Sequence, residues 1–290
     1  KLQLHCYRQR HAFAVPWQGR ITTVGRLRRG GDSSAVQAAL QEVHHIHATR
    51  EAFAALRLDG TVACWGAAES GGDCSEVEGR LHRVVALCAT DGAFAALTSE
   101  GQVETWGCPR AGGDSRALRP QLRDIKAVVA TSRAFSALSA TGGVFCWGDP
   151  AMGGASIDSA WRQPVRKICA STGAFAALCQ DGTVVTWGSA SHGGDRSAVQ
   201  KHLQNVRDVY AASFGFSAVR EDGMAITWGR MQPMSVCLPE QLRVAGVVAS
   251  GCAFAALASD GTLVTWGDPE EQHSASVGPD TKVVSLRATQ

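Results

Sequence analysis

Three histidines crowd one four-residue run, His44-His45-Ile46-His47, and are the side chains best placed for metal chemistry. Successive side chains of an extended chain alternate between faces, so His45 and His47 share one, as two metal ligands would. The spacing supplies no third ligand, and the run is read as a polar strand edge. Cysteine is the other reactive type, with 10 copies. No C-x-x-C occurs and the gaps are irregular, which argues against a disulfide framework. Cys64 and Cys146 each precede a tryptophan, and Cys88 and Cys169 share a second recurring slot. Threonine, valine or histidine fills those slots elsewhere, so cysteine reads as a small half-buried filler. That usage points to reduced thiols in an intracellular protein. His5, His11 and His82 are scattered with no serine or cysteine nucleophile motif near them, and no G-x-x-x-x-G-K-[ST] cradle for phosphate is present. The expectation is a chain that is not an enzyme and that holds no metal and no cofactor.

Charge gives a different signal. The net charge of +2 exerts no general pull on nucleic acid or an anionic membrane. Its distribution is uneven: residues 1–50 hold eight basic and two acidic residues, a local +6. Arg26, Arg28 and Arg29 stand within four positions of one another. Such a group can grip an acidic peptide or phosphate oxygens in bidentate fashion, although a solvated charged loop is the plainer reading. Trp17, in the stretch Val15-Pro16-Trp17-Gln18-Gly19, is read as an exposed residue of a shortened hairpin turn that suits a contact. Arg26, Arg28, Arg29 and Trp17 are the candidate partner-binding residues. No nucleic acid or membrane is expected among the partners.

What must position these residues is a repeat. Trp-Gly occurs at Trp65, Trp106, Trp147, Trp187, Trp228 and Trp266, with gaps of 41, 41, 40, 41 and 38. Val24-Gly25 is a seventh, degenerate copy. A phenylalanine stands twelve residues before each tryptophan, from Phe53 to Phe254, and Phe13 leads Val24 by 11. Each unit holds a short apolar run, a run reading Ala-Phe-Ala-Ala-Leu in the cleanest copies, a turn such as Asp181-Gly182, and a third run ending at the tryptophan or its Val24 counterpart. Aspartate-glycine between two such runs is a strong hairpin signal. A Gly-Gly-Asp element follows in four copies, at Asp32, Asp73, Asp114 and Asp195. Behind it comes an apolar pair at i, i+4: Val36 with Leu40, Val77 with Leu81, Leu118 with Leu122, Ile157 with Trp161, Val199 with Leu203, Leu238 with Leu242. That pair predicts a short helical connector with an aspartate near its N-cap.

Units of about 41 residues cannot bury their own faces and must stack on their neighbours. The predicted fold is therefore all-β, a single seven-bladed β-propeller over residues 1–290 with short helical connectors. The tryptophans are read as packing residues between blades. The run 283–289 matches the first strand of a unit and is expected to complete the first blade. Because the chain starts at Lys1 with a polar, basic stretch and no apolar run, it reads as a processed product or a piece of something longer. No window approaches 18 apolar residues, so no membrane span is expected.

The Ala-Phe-Ala-Ala-Leu, Asp-Gly and Thr-Trp-Gly sequence resembles the repeat of the regulator-of-chromosome-condensation superfamily, which includes a short-bladed bacterial β-lactamase inhibitor protein. The resemblance covers all seven units and implies a seven-bladed propeller. This chain departs from the family in carrying Gly-Gly-Asp where Gly-Gln-Leu-Gly is usual, and copies six and seven lack even that. The function it implies is a non-enzymatic protein–protein interaction scaffold working through its loop faces. Alternatives within the same resemblance are guanine-nucleotide exchange on a small GTPase, a ubiquitin-ligase propeller, or inhibition of an enzyme. Uniform unit lengths leave no room for the insertion an exchange factor uses. The Gly-Trp-Arg-His-Thr motif of the plant UV-B photoreceptor is absent.

Overall fold

A computed structural model of the chain describes residues 7–8, 11–17, 20–155, 163–230, 234–237, 244–251, 253–258 and 263–267. The chain divides into two compact units, Lys1–Ile157 and Asp158–Gln290. The first carries four antiparallel sheets, at 7–25, 43–66, 84–107 and 125–148; the second carries three, at 165–188, 206–237 and 244–267. Each is a meander of three strands in chain order, and the sixth gains a fourth strand, Met234–Cys237. The closing run 283–289 and the pairs Ile157 with Trp161 and Leu238 with Leu242 lie outside the described residues.

One blade explains the rest. Val84–Ala89 pairs with Ala93–Thr98, which pairs with Val103–Gly107. Every residue of the middle strand is buried, which is why it reads as a continuous apolar run rather than an alternating one. Phe94 faces Trp106 across the hairpin, and their rings stack at 5.3 Å between centroids. The turn between these strands uses only one residue with positive φ, Gly101 at +72°. Asp59-Gly60 and Asp181-Gly182 do the same, with Gly60 at +79° and Gly182 at +78°. The hairpin is thus a type I turn closed by a left-handed glycine, not a two-residue mirror-image turn. Asp59 accepts hydrogen bonds from the Thr61 amide and hydroxyl at 3.0 and 2.6 Å, which fixes the turn.

The core lies between successive blades of each unit. In the first unit one cluster joins blades one and two (Ile21, Leu40, Phe53, Trp65), another two and three (Leu56, Leu81, Phe94, Trp106), another three and four (Leu97, Leu122, Phe135, Trp147). In the second, Leu178, Leu203, Phe216 and Trp228 join blades five and six, and Val219, Phe254 and Trp266 join six and seven. The connectors supply Leu40, Leu81, Leu122 and Leu203, the i+4 members of the predicted pairs, all nearly fully buried. The connectors are 3-10 turns, such as Ser34–Ala39, Glu78–Arg80 and Gln200–His202. The aspartates do not cap these turns, whose N-cap residues are Ser33, Val77 and Val199 with no side-chain cap bond. Asp32, Asp73, Asp114 and Asp195 instead each close a tight turn at the entrance to the connector by accepting from the amide two residues on, at 2.8–3.0 Å.

The Trp-Gly to Gly-Gly coupling holds neighbouring blades together. The indole N–H of Trp106 donates to the carbonyl of Gly71 at 3.0 Å, and Trp147 to Gly112 and Trp228 to Gly193 at the same distance. Gly112 sits at φ +94°, and a Cβ there would lie 2.5 Å from a ring carbon of Phe135. The glycine is required twice, by its backbone conformation and by the ring laid on it.

Candidate functional site

The three arginines belong to the loop that follows the third strand of blade one. Arg26 caps a 3-10 turn, Leu27–Arg29, which ends at Gly30 in the left-handed conformation. Backbone bonds hold the loop: Arg26 N–H to the His11 carbonyl at 3.0 Å, and Arg29 and Gly31 N–H to the Arg26 carbonyl at 2.9 Å. Arg26 and Arg28 are exposed and form no ion pair among the described residues. Arg29 behaves differently. Its guanidinium pairs with Glu51 of blade two and lies 3.0 Å from His11 Nε2. The predicted triad therefore separates into two outward-facing arginines and one that joins two blades. Leu27, between Arg26 and Arg28, is 70% exposed, and Val24, at the base of the loop, is 60% exposed. Phe13, paired with Val24 across the hairpin, is 42% exposed, whereas its counterparts in the later blades are buried.

Trp17 is the end of a strand, Ala12–Trp17, opposite Arg20, rather than part of the turn. Val15, Pro16 and Trp17, read as turn from the sequence, pair with Thr22, Ile21 and Arg20. The Trp17 side chain, and with it the expected exposure, lies outside the described residues.

The His-His-Ile-His run forms the first strand of blade two, with a bulge between Val43 and His45. His44 and His45 are exposed with ring centroids 4.2 Å apart, while His47 is half-buried. Burial, assisted by the neighbouring His45, lowers the pKa of His47. Among the described residues no three His, Cys, Asp or Glu side chains converge as a metal site would need.

A second polar site was not read from the sequence. Glu104 occupies a third-strand slot that holds Ala63, Phe145, Val185, Ile226 and Val264 elsewhere. It is buried, and two guanidiniums satisfy it: Arg80 Nε at 2.9 Å on one oxygen and Arg119 on the other. Arg80 comes from the connector after blade two and Arg119 from the connector after blade three, so one carboxylate ties the two connectors together. All three line a cleft of about 350 Å³ with Cys74, Asp114 and Arg116. A single charged residue in a slot that is otherwise apolar except for Thr22 was the available signal.

The comparisons agree with this geometry at the level of fold. No family model matches the chain, and no curated protein matches it. Among solved structures, human WBSCR16 aligns with a TM-score of 0.52 at 15% identity, over 89% of this chain and 88% of that one. The chain folds as a seven-bladed β-propeller. The propeller also aligns with the ectodomain of the Physcomitrella patens receptor kinase CR4, with a TM-score of 0.50 at 22% identity, over 74% of this chain and 60% of that one. Yeast RCC1 (Prp20), solved bound to Kap60, gives a TM-score of 0.49 at 16% identity over 63% of this propeller; the propeller spans 56% of that chain, little more than half its length. The resemblance carried by Trp-Gly and Asp-Gly stands as a likeness of fold. No helix of the propeller's described residues is long and apolar enough to cross a membrane.

Proposed function

We propose that this propeller is a protein-interaction module and that the loop 24–30 of its first blade is the contact surface. The observation that carries the reading is Leu27, 70% exposed between two arginines that face solvent. Protein interfaces place an apolar centre inside a polar rim, and arginine is enriched there while lysine is depleted. Arg26 and Arg28 supply guanidinium donors that form no ion pair among the described residues, and the backbone bonds to His11 and Arg26 hold the loop in one shape before binding. Preorganisation of this kind lowers the ordering cost of association. The partner that fits is an acidic protein segment carrying an apolar side chain for Leu27 and Val24. Arg29 supports the loop from below through Glu51 and contributes to binding only by holding the loop in place.

The test is capture from lysate with the parent chain and with a variant carrying Arg26→Glu, Leu27→Ser and Arg28→Glu. The altered side chains are exposed, so the melting temperature should not change. A stoichiometric protein retained by the parent and lost by the variant supports the reading. Equal retention by both, or no partner for either, overturns it.

A further inference from the structure

Blade two differs from its neighbours at two positions that touch each other. In blade one, Thr23 Oγ1 lies 3.1 Å from Ser33 Oγ. In blade three, Thr105 Oγ1 donates to Ser115 Oγ at 2.9 Å, and the Ser115 amide returns a bond to Thr105 at 3.1 Å. The repeat thus contains a hydroxyl–hydroxyl contact between the residue before the Trp-Gly slot and the residue after Gly-Gly-Asp. In blade two these two residues are Cys64 and Cys74. Cys74 packs against the buried cluster that holds Cys64, so the two thiols take the places of the paired hydroxyls. Both hydroxyls of the pair have been exchanged for thiols in one blade. Cys146, which shares the Cys64 slot in blade four, instead donates to Ser136 at 3.5 Å.

We propose that Cys64 and Cys74 are a peroxide-responsive thiol pair that closes to a reversible disulfide. The two members are suited to different steps. Cys74 is half-buried and lines the cleft beside Arg80 and Arg116, so a small oxidant reaches it. Cys64 is buried behind it. The neighbouring Cys64 thiol lowers the pKa of Cys74, while burial raises that of Cys64. The thiolate is the nucleophile in this chemistry. The Cys74 sulfur attacks one peroxide oxygen; an S–O bond forms, the O–O bond breaks, and the departing oxygen leaves as water or alcohol after taking a proton. The Cys64 sulfur then attacks the Cys74 sulfenic acid; an S–S bond forms, the S–O bond breaks, and the hydroxyl leaves as water with the Cys64 proton. Two thiols are oxidised and one peroxide is reduced.

Geometry permits closure. A disulfide places its sulfurs about 2 Å apart. The equivalent oxygens lie 3.1 Å apart in blade one and 2.9 Å apart in blade three, so the sulfurs that replace them need only a small approach of the connector carrying Cys74. The loop it would close, 64–74, contains Gly71, whose carbonyl receives the indole of Trp106 in the next blade. Oxidation would therefore clamp the loop on which blade three is docked, and the melting temperature of the oxidised chain should rise.

The experiment treats the full chain with hydrogen peroxide, alkylates it in denaturant and digests it with trypsin. Peptide 58–80 contains Cys64 and Cys74 and no other cysteine. The expected product is this peptide about 2 Da lighter, resistant to alkylation and restored by dithiothreitol. Cleavage after Glu69 then gives two fragments that remain linked until reduction. Cys64→Thr and Cys74→Ser each install the residue that neighbouring blades carry, so folding is retained. Cys64→Thr should leave a sulfenic acid at Cys74 that dimedone traps, and Cys74→Ser should leave Cys64 as a free thiol. The proposal is overturned if both thiols of the treated parent alkylate fully. It is equally overturned if Cys74 over-oxidises in the parent while Cys64 stays free.

Discussion

At the scale of single residues, the propeller rests on one recurring bond, from an indole N–H to the carbonyl of a left-handed glycine in the preceding blade. Its value is open to measurement at Gly112. Gly112→Ala should cost about 2–4 kcal/mol, because the new methyl group meets Phe135 and the residue is held at φ +94°. Gly79→Ala is the control: nothing lies within 4 Å of its added Cβ, so denaturant unfolding should change by less than about 1 kcal/mol. The sixth copy tests the same bond from the other side. Its sequence runs Met231 to Ser235 where the Gly-Gly element would stand, and Trp266 donates instead to the Ser217 hydroxyl at 2.8 Å. Ser217 is fully buried in a middle-strand slot that is alanine in most copies. Ser217→Ala should destabilise by about 1–3 kcal/mol by leaving the indole unpaired. In a Trp266→Phe background the same change should cost much less, and a full cost in both backgrounds would refute the pairing.

At the scale of elements, the aspartates that open the connectors make stability pH-dependent. Amide and side-chain donors hold Asp32, Asp73 and Asp195 below the ordinary carboxylate value, and the donors of Arg116 bring Asp114 to about 2. A carboxylate with a lowered folded pKa contributes stability above its unfolded value, and that contribution is lost as pH falls through the folded one. The melting temperature should therefore drop between about pH 4 and pH 2, and Asp114→Asn should flatten the lower part of that drop; a flat profile in the parent would contradict the turn-closing role. Much of this architecture was legible because it is local and periodic. Phenylalanine, tryptophan, Gly-Gly and Asp-Gly recur at fixed offsets, and each offset corresponds to a packing or turn requirement. The helical character of the connectors was also readable, although the i, i+4 pairs did not distinguish 3-10 turns from α-helix. One periodic signal was missed: Thr49, Thr90, Thr131 and Ser171 each stand four residues before a phenylalanine, and their hydroxyls bond the connector carbonyls of Ser70, Ala111, Met152 and His192 at 2.8–3.0 Å. A search for apolar periodicity passes over a polar residue even when it recurs. Arg29 with Glu51, and Glu104 with Arg80 and Arg119, were not legible because each joins residues from different blades, and no short-range pattern encodes such a pairing.

At the scale of the whole molecule, the two units repeat one design, and what distinguishes blade one is its surface. Its third strand ends in Val24 where the later blades have tryptophan, and its loop alone carries the Arg-Leu-Arg-Arg sequence. The apolar centre of that loop is exposed, and two of its arginines are uncommitted among the described residues. Electrostatic attraction between such a loop and an acidic segment weakens as salt screens it, so binding should fall between low salt and about 0.5 M ionic strength. The measurement that tests the interaction reading most directly is amide hydrogen exchange on the propeller with its captured partner bound. Protection should concentrate at residues 24–31 and disappear with the Arg26→Glu, Leu27→Ser, Arg28→Glu variant. Protection confined to other loops, with 24–31 exchanging as in the free chain, would contradict it.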